Sequence, residues 1–171
     1  MGRELIDHLV RLCDQAFRQP HSGDGDSPSL IANFQAVPPE SLDWLPPGGG
    51  RSIRAIFGHA ASCKFMYDDY AFRTRTFDWA SEPAWPASFA DLTMDELIAW
   101  AEDGHRRWIE SISALTSDDE LVCPRKTNWG QLMPTHDLVT TLLHHDTYHA
   151  GEINHLRALF MQDDGWAFAE G

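Results

Sequence analysis

The sequence predicts an all-α protein, a four-helix bundle with short extra helices in the connections. Three observations predict it. Four segments carry apolar residues at every third or fourth position, the period of a helix that buries one face. Helix-starting residues stand where those segments begin. No run alternates apolar and polar residues for long enough to need a sheet. The 171 residues suit one domain, spanning 1–171, with a real hydrophobic core.

The first helix runs from about Arg3 to Phe17, with Leu5, Leu9, Leu12 and Ala16 on one face. Ser27-Pro28 reads as the N-cap and first residue of a short helix through Phe34, since proline has no N–H to leave unbonded there. The turn-rich "LPPGGGR" then leads to a second helix from about Ser52 to Phe72, through Ile53, Ile56, Phe57, Ala60, Cys63 and Tyr67. Residues 73–92 are long for a helix connection and carry Trp79 and Trp85. They read either as a binding lid or as a crossover that packs its tryptophans onto the bundle. The third helix runs from about Met94 to Leu115, through Leu97, Ile98, Ala101, Trp108, Ile109 and Ile112. Thr93 with Glu96, and Ser117 with Glu120, fit the reciprocal capping box. The fourth runs from about His136 to Met161, with Thr135 as its cap and Asp137 suited to the positive end of the helix dipole. Gly165 follows its end.

Lys plus Arg number 13 and Asp plus Glu 26, a net charge of −13 with His neutral. Such a surface repels phosphate backbones and anionic lipid, which argues against nucleic-acid and membrane partners. Cys13, Cys63 and Cys123 are an odd, sparse set, as expected of free thiols in a reducing cytoplasm. "MGRELIDHLV" has no long apolar core, so no secretory leader is expected. Ile6 stands where a myristoylation signal needs Ser or Thr. No stretch is apolar for long enough to span a membrane.

The segment "TLLHHDTYHAGEINHLRALF" holds four of the nine histidines, and helix geometry sorts them. With His145 at zero and about 100° per residue, Leu138 and Leu156 fall near +20°, His149 near +40°, Leu142 and Phe160 near +60°, Ile153 near +80° and Glu152 near −20°. His144 and His155 fall on the flank at roughly −100° and −80°, and His136 nearly opposite. His145 and His149 therefore share the core-facing stripe. Two imidazoles at i and i+4 stack over one turn and can reach one metal ion. Otherwise each is an interior histidine whose two ring nitrogens both need partners.

His59 offers a third imidazole from the second helix, among Ile56, Cys63 and Met66. Three protein ligands that leave a position for water or substrate are the pattern of a catalytic metal site. Cys63 either joins as a soft ligand or is a small buried residue. Glu152 is a fourth ligand, an acceptor for an imidazole N–H, or a general base. His105 lies in the apolar repeat of the third helix, lining the same cavity or bonded within the bundle. Tyr67, Tyr70 and Tyr148 offer hydroxyls to a substrate or pack as aromatics.

"HHDTYHAGEINHLRALF" resembles the C-terminal helix signature of the DinB-like proteins, the DinB/YfiT superfamily. The match is His145-x-x-x-His149-x-Gly151-Glu152, followed by Leu156-Arg157. "IFGHAASCKFMY" resembles the family segment that donates the first histidine, here His59, and "SPSLIANFQAVPPESLDWLPPGGGRSI" resembles its linker between helices one and two. The resemblance implies a DinB/YfiT-like four-helix bundle, often dimeric, that binds a divalent metal ion through three histidines, typically zinc or nickel. Characterised relatives include bacillithiol S-transferases and mycothiol-dependent isomerases, in which the metal activates a low-molecular-weight thiol. The expected function is thus metal-dependent S-transfer or isomerisation. Its partners would be a small-molecule thiol and an electrophile, with His59, His145 and His149 on the ion. His105, Tyr67 and Tyr148 are the candidate substrate-binding residues, and Glu152 the candidate catalytic one. Two alternatives stand beside it: a metal-dependent hydrolase with Glu152 as base, and a non-enzymatic metal-holding stress or interaction protein.

Overall fold

The four segments picked out by the helical period are the four long helices of the protein. The computed structural model describes residues 2–18 and 29–163. In them α1 spans Glu4–Phe17, α2 Leu30–Gln35, α3 Ile53–Phe72, α4 Met94–Ser113 and α5 Thr135–Met161. Short 3₁₀ turns at Pro39–Ser41, Phe89–Asp91 and Asp118–Val122 lie in the connections. The fold is all-α, as predicted, apart from one small hairpin. There β1, Pro124–Lys126, pairs antiparallel with β2, Leu132–Pro134. Strands of three residues are too short to show alternation in a sequence. Among the described residues no helix is long and apolar enough to cross a membrane.

The caps were partly foreseen. Thr93 and Glu96 form the expected box: Glu96 N–H donates to Thr93 Oγ1 at 3.3 Å, and Thr93 N–H donates to Glu96 Oε2 at 2.8 Å. Ser117 and Glu120 do not. Ser117 Oγ accepts from Asp119 N–H at 3.2 Å, and Glu120 reaches one residue further back, to Thr116 N–H at 2.7 Å. The segment is a 3₁₀ turn, and its tighter winding brings different amides together. Thr135 is not a side-chain cap either. Its hydroxyl donates to Cys123 O at 2.8 Å and accepts from Arg125 Nε at 3.2 Å, which ties the hairpin to the start of α5. Ser27-Pro28 and Gly165 lie outside the described residues. The cap seen on α2 is Ser29, whose Oγ accepts from Ala32 N–H at 3.2 Å.

The chain divides into two compact units, Met1–Cys13 with Ala61–Leu143, and Asp14–Ala60 with His144–Gly171. In the first unit, Trp108 is buried among Ile6, Ile112, Leu115, Leu138 and Leu142. Burying each such side chain stabilises the fold by about 1.5–3 kcal/mol. Asp118 accepts from the amides of Leu5 and Ile6 at 3.3 and 3.0 Å, placing a carboxylate at the positive end of α1. Residues 73–92 are strapped down. The buried Asp69 carboxylate accepts from the amides of Thr74, Thr76 and Phe77 at 3.2, 2.6 and 2.9 Å, and from Thr74 Oγ1 at 2.8 Å. Trp100 Nε1 donates to Pro83 O at 3.0 Å, and Trp85 lies 4.1 Å from the Phe89 ring, centroid to centroid. Of the two alternatives for this loop, Trp85 follows the packed one, whereas Trp79 is exposed.

In the second unit, Phe34 and Phe57 stack at 3.7 Å with 13° between their planes, joining α2 to α3. Trp44 meets Phe160 edge-on at 5.7 Å, against α5. Arg54 forks onto Asp43 at 2.8 and 3.1 Å. These contacts hold the N-terminal part of α3 and the C-terminal part of α5, the two segments that carry the histidines.

Candidate metal centre

The α5 histidines divide as their helical angles require. His149 is buried and His145 half-buried, while His144 and His155 are exposed. The buried face is wider than the apolar stripe. Val139, Asp146, Ala150 and Arg157 are buried too, at about +100° to +140° on the same wheel. His145 therefore stands at the margin of the buried face, where a side chain meets both core and solvent.

His59 on α3 and the α5 pair converge through the same ring atom. His145 Nε2 lies 3.1 Å from His59 Nε2 and 3.1 Å from His149 Nε2. The ring centroids are 4.9 Å apart for His59 and His145, 5.1 Å for His59 and His149, and 4.3 Å for His145 and His149. A tetrahedral ion with metal–nitrogen bonds of about 2.0–2.1 Å sets its ligand nitrogens roughly 3.3–3.4 Å apart. The observed edges are close to that size, so small ring movements admit an ion.

The outer atoms fix the tautomer of one ring. His149 Nδ1 lies 2.6 Å from Glu152 Oε2. An ionised carboxylate only accepts, so His149 Nδ1 carries the proton and its Nε2, in the neutral ring, turns a lone pair to the centre. A carboxylate behind a metal-binding imidazole is a recurrent support, because it sets ring orientation and raises ligand basicity. Glu152 is itself held by Arg51, whose Nη2 donates to Oε1 at 3.0 Å and to Oε2 at 3.3 Å.

Electrostatics keeps the rings ready to bind. Burial, then the neighbouring His149 and Arg51, lower the His59 pKa below its ordinary 6.5, against the pull of Glu152. Burial lowers that of His149 as well, although its bond to Glu152 works the other way. Both rings are therefore neutral at pH 7, the form a metal needs. Cys63 follows His59 by one turn of α3 and is buried, and belongs to the other unit. The donor chemistry fits a divalent ion of the zinc, nickel, copper or iron type.

Of the sequence-predicted residues, the structure brings together His59, His145, His149 and Glu152. Tyr148 is 63% exposed, with its ring 5.0 Å from that of His149. His105 and Tyr67 belong to the other unit. His105 is fully buried on α4. Tyr67 packs against Trp108 and Trp129 at 6.4 and 5.4 Å, and burial, followed by Cys63, pushes its hydroxyl up to about 12. Sequence reasoning missed Arg51. Its one signal was the glycine run that precedes it, which marks a turn but not a partner 101 residues away.

An all-helical fold in which two helices bring three imidazoles to one point defines a class, the helical proteins with a histidine cluster able to hold a metal ion. The chain belongs to the DinB superfamily, whose family pattern matches residues 24–153. Comparison with curated proteins finds none that matches.

Proposed function

We propose that the protein is a metal-dependent enzyme in which His59, His145 and His149 hold a zinc or nickel ion and a low-molecular-weight thiol is activated for S-transfer or isomerisation. The observation that carries the reading is the convergence of the Nε2 atoms, with 3.1 Å between successive rings. When bound, the ion lowers the pKa of a thiol or water beside it, so that the anion forms near neutral pH. The chain's own residues do the rest. Glu152 keeps the His149 proton on Nδ1, and Arg51 keeps Glu152 in place. Both carboxylate oxygens are engaged, so Glu152 is an orienting acceptor rather than a free base. Tyr148 presents an exposed hydroxyl next to His149 and is the substrate contact this reading favours. Cys13, Cys63 and Cys123 are all free thiols, which suits a cytoplasmic enzyme. The outer face of α5, where Tyr148 and Leu159 are exposed, is where a homodimer would form.

The test is metal analysis of the purified protein, followed by glutathione, bacillithiol and mycothiol offered with chlorodinitrobenzene or an epoxide. The expected result is about one ion per chain, and turnover that needs both metal and thiol. Metal without turnover of any thiol overturns the transferase reading. Ester or amide turnover without thiol replaces it with hydrolysis.

A further inference from the structure

Arg51 ends a run of three glycines, Gly48, Gly49 and Gly50, at φ of 96°, 91° and 139°. A Cβ on Gly48 or Gly49 would meet nothing within 4 Å. The glycines are therefore required by the backbone path and not by crowding. That path delivers a guanidinium with 49% of its side chain exposed to the edge of the histidine centre. Only Nη2 is engaged, on Glu152. Among the described residues Nε and Nη1 make no hydrogen bond, so an N–H donor on either side of Nη2 is open.

We infer that Arg51 selects the substrate: one of its open N–H donors binds a carboxylate carried by the thiol, while Nη2 stays on Glu152. This deepens the thiol reading and rests on it. A hydrogen bond from a guanidinium to a carboxylate is charge-assisted, about twice as strong as one between neutral groups, and arginine keeps its charge across the working pH range. The need is set by the rest of the chain, whose net charge of −13 repels an anionic thiol. A cation beside the reacting point reverses that field locally.

The experiment titrates cobalt-loaded protein with mercaptopropionate and with propanethiol, which share a chain length and differ in the carboxylate. Thiolate binding is read from sulfur-to-cobalt charge-transfer absorption. Wild type is expected to bind mercaptopropionate at least about tenfold tighter. Arg51→Gln makes the two thiols equal, and Arg51→Lys keeps part of the preference. Acetate added to wild type competes with mercaptopropionate and not with propanethiol, an arm that needs no variant. Equal affinities in wild type, a preference that survives in Arg51→Gln, or no effect of acetate overturns the inference and leaves the thiol reading standing. Absence of a charge-transfer band with either thiol overturns both.

Discussion

The two units bury polar groups in opposite ways. In the first, Asp69 is an acceptor met by three amides and a hydroxyl, all from the strap it anchors. Its neighbour Asp68 accepts from Arg73 Nε and from Ser111 Oγ, the latter at 2.5 Å. In the second, three imidazole Nε2 atoms face one another, and the proton of His149 is committed outward to Glu152. Donors facing acceptors make a closed network that stabilises the fold. Imidazole nitrogens gathered on one point make an arrangement that a cation completes. Buried polarity alone does not distinguish structure from function, whereas the pairing of donors with acceptors does.

The largest effect comes from breaking each centre in turn. His149→Ala is expected to drop bound metal from about one ion per chain to almost none, read by elemental analysis, because the centre loses a ligand and the Glu152 support. The melting temperature of metal-free protein should move little. Asp69→Ala should do the reverse. It strands the amides of Thr74, Thr76 and Phe77 and costs about 2–4 kcal/mol in denaturant unfolding, with metal content unchanged. If both variants lose metal and stability together, the two networks are not separable.

Glu152→Gln is a gentler test. The amide keeps the shape but can point an N–H at His149 Nδ1, so the tautomer is no longer fixed. Metal affinity, measured by competition with a chelator, should fall about 10–100-fold, and the fold should survive.

The site was legible where it obeyed helical geometry and illegible where it did not. The 100° rule separates His145 and His149 from His144 and His155 because an angle on a wheel needs only sequence spacing. The width of the α5 face was hidden because two of its buried members, Asp146 and Arg157, are charged types that no apolar pattern counts. The Asp69 cradle is made of backbone amides, which every residue has, so no composition marks it. Arg51 meets Glu152 across 101 residues, a distance at which one sequence offers no periodicity to read.

Acidification separates the units by window. Folded His59 and His149 have pKa values below their ordinary 6.5, so the unfolded chain binds protons first as pH falls. Their contribution to metal-free stability is present above 6.5 and is lost below it. Metal should leave over the same range, since protons compete for the same lone pairs. Asp69 differs. Burial raises its pKa, but the bonds from Phe77, Thr74 and Thr76 outweigh that and hold it below 3.8. Its contribution is kept above 3.8 and lost only as pH falls through its lower folded value. Melting curves from pH 8 to 3 should show two separate declines, and His149→Ala should blunt the first.

The smallest effects come from one substitution made in two places. Gly104 on α4 and Gly151 on α5 are both helical glycines, and alanine is favoured over glycine in a helix by about 1 kcal/mol. At Gly151 an added Cβ meets nothing within 4 Å, so Gly151→Ala should gain up to about that amount. At Gly104 the Cβ would stand 2.7 Å from a ring carbon of Phe65. The ring is fully buried and stacked on Trp100 at 5.8 Å, so it has little room to retreat. Overpacking of this kind costs about 1–3 kcal/mol, which outweighs the helical preference and reverses the sign. Denaturant midpoints for the two variants should therefore move in opposite directions. A stabilised Gly104→Ala would mean that Phe65 yields more easily than its packing implies.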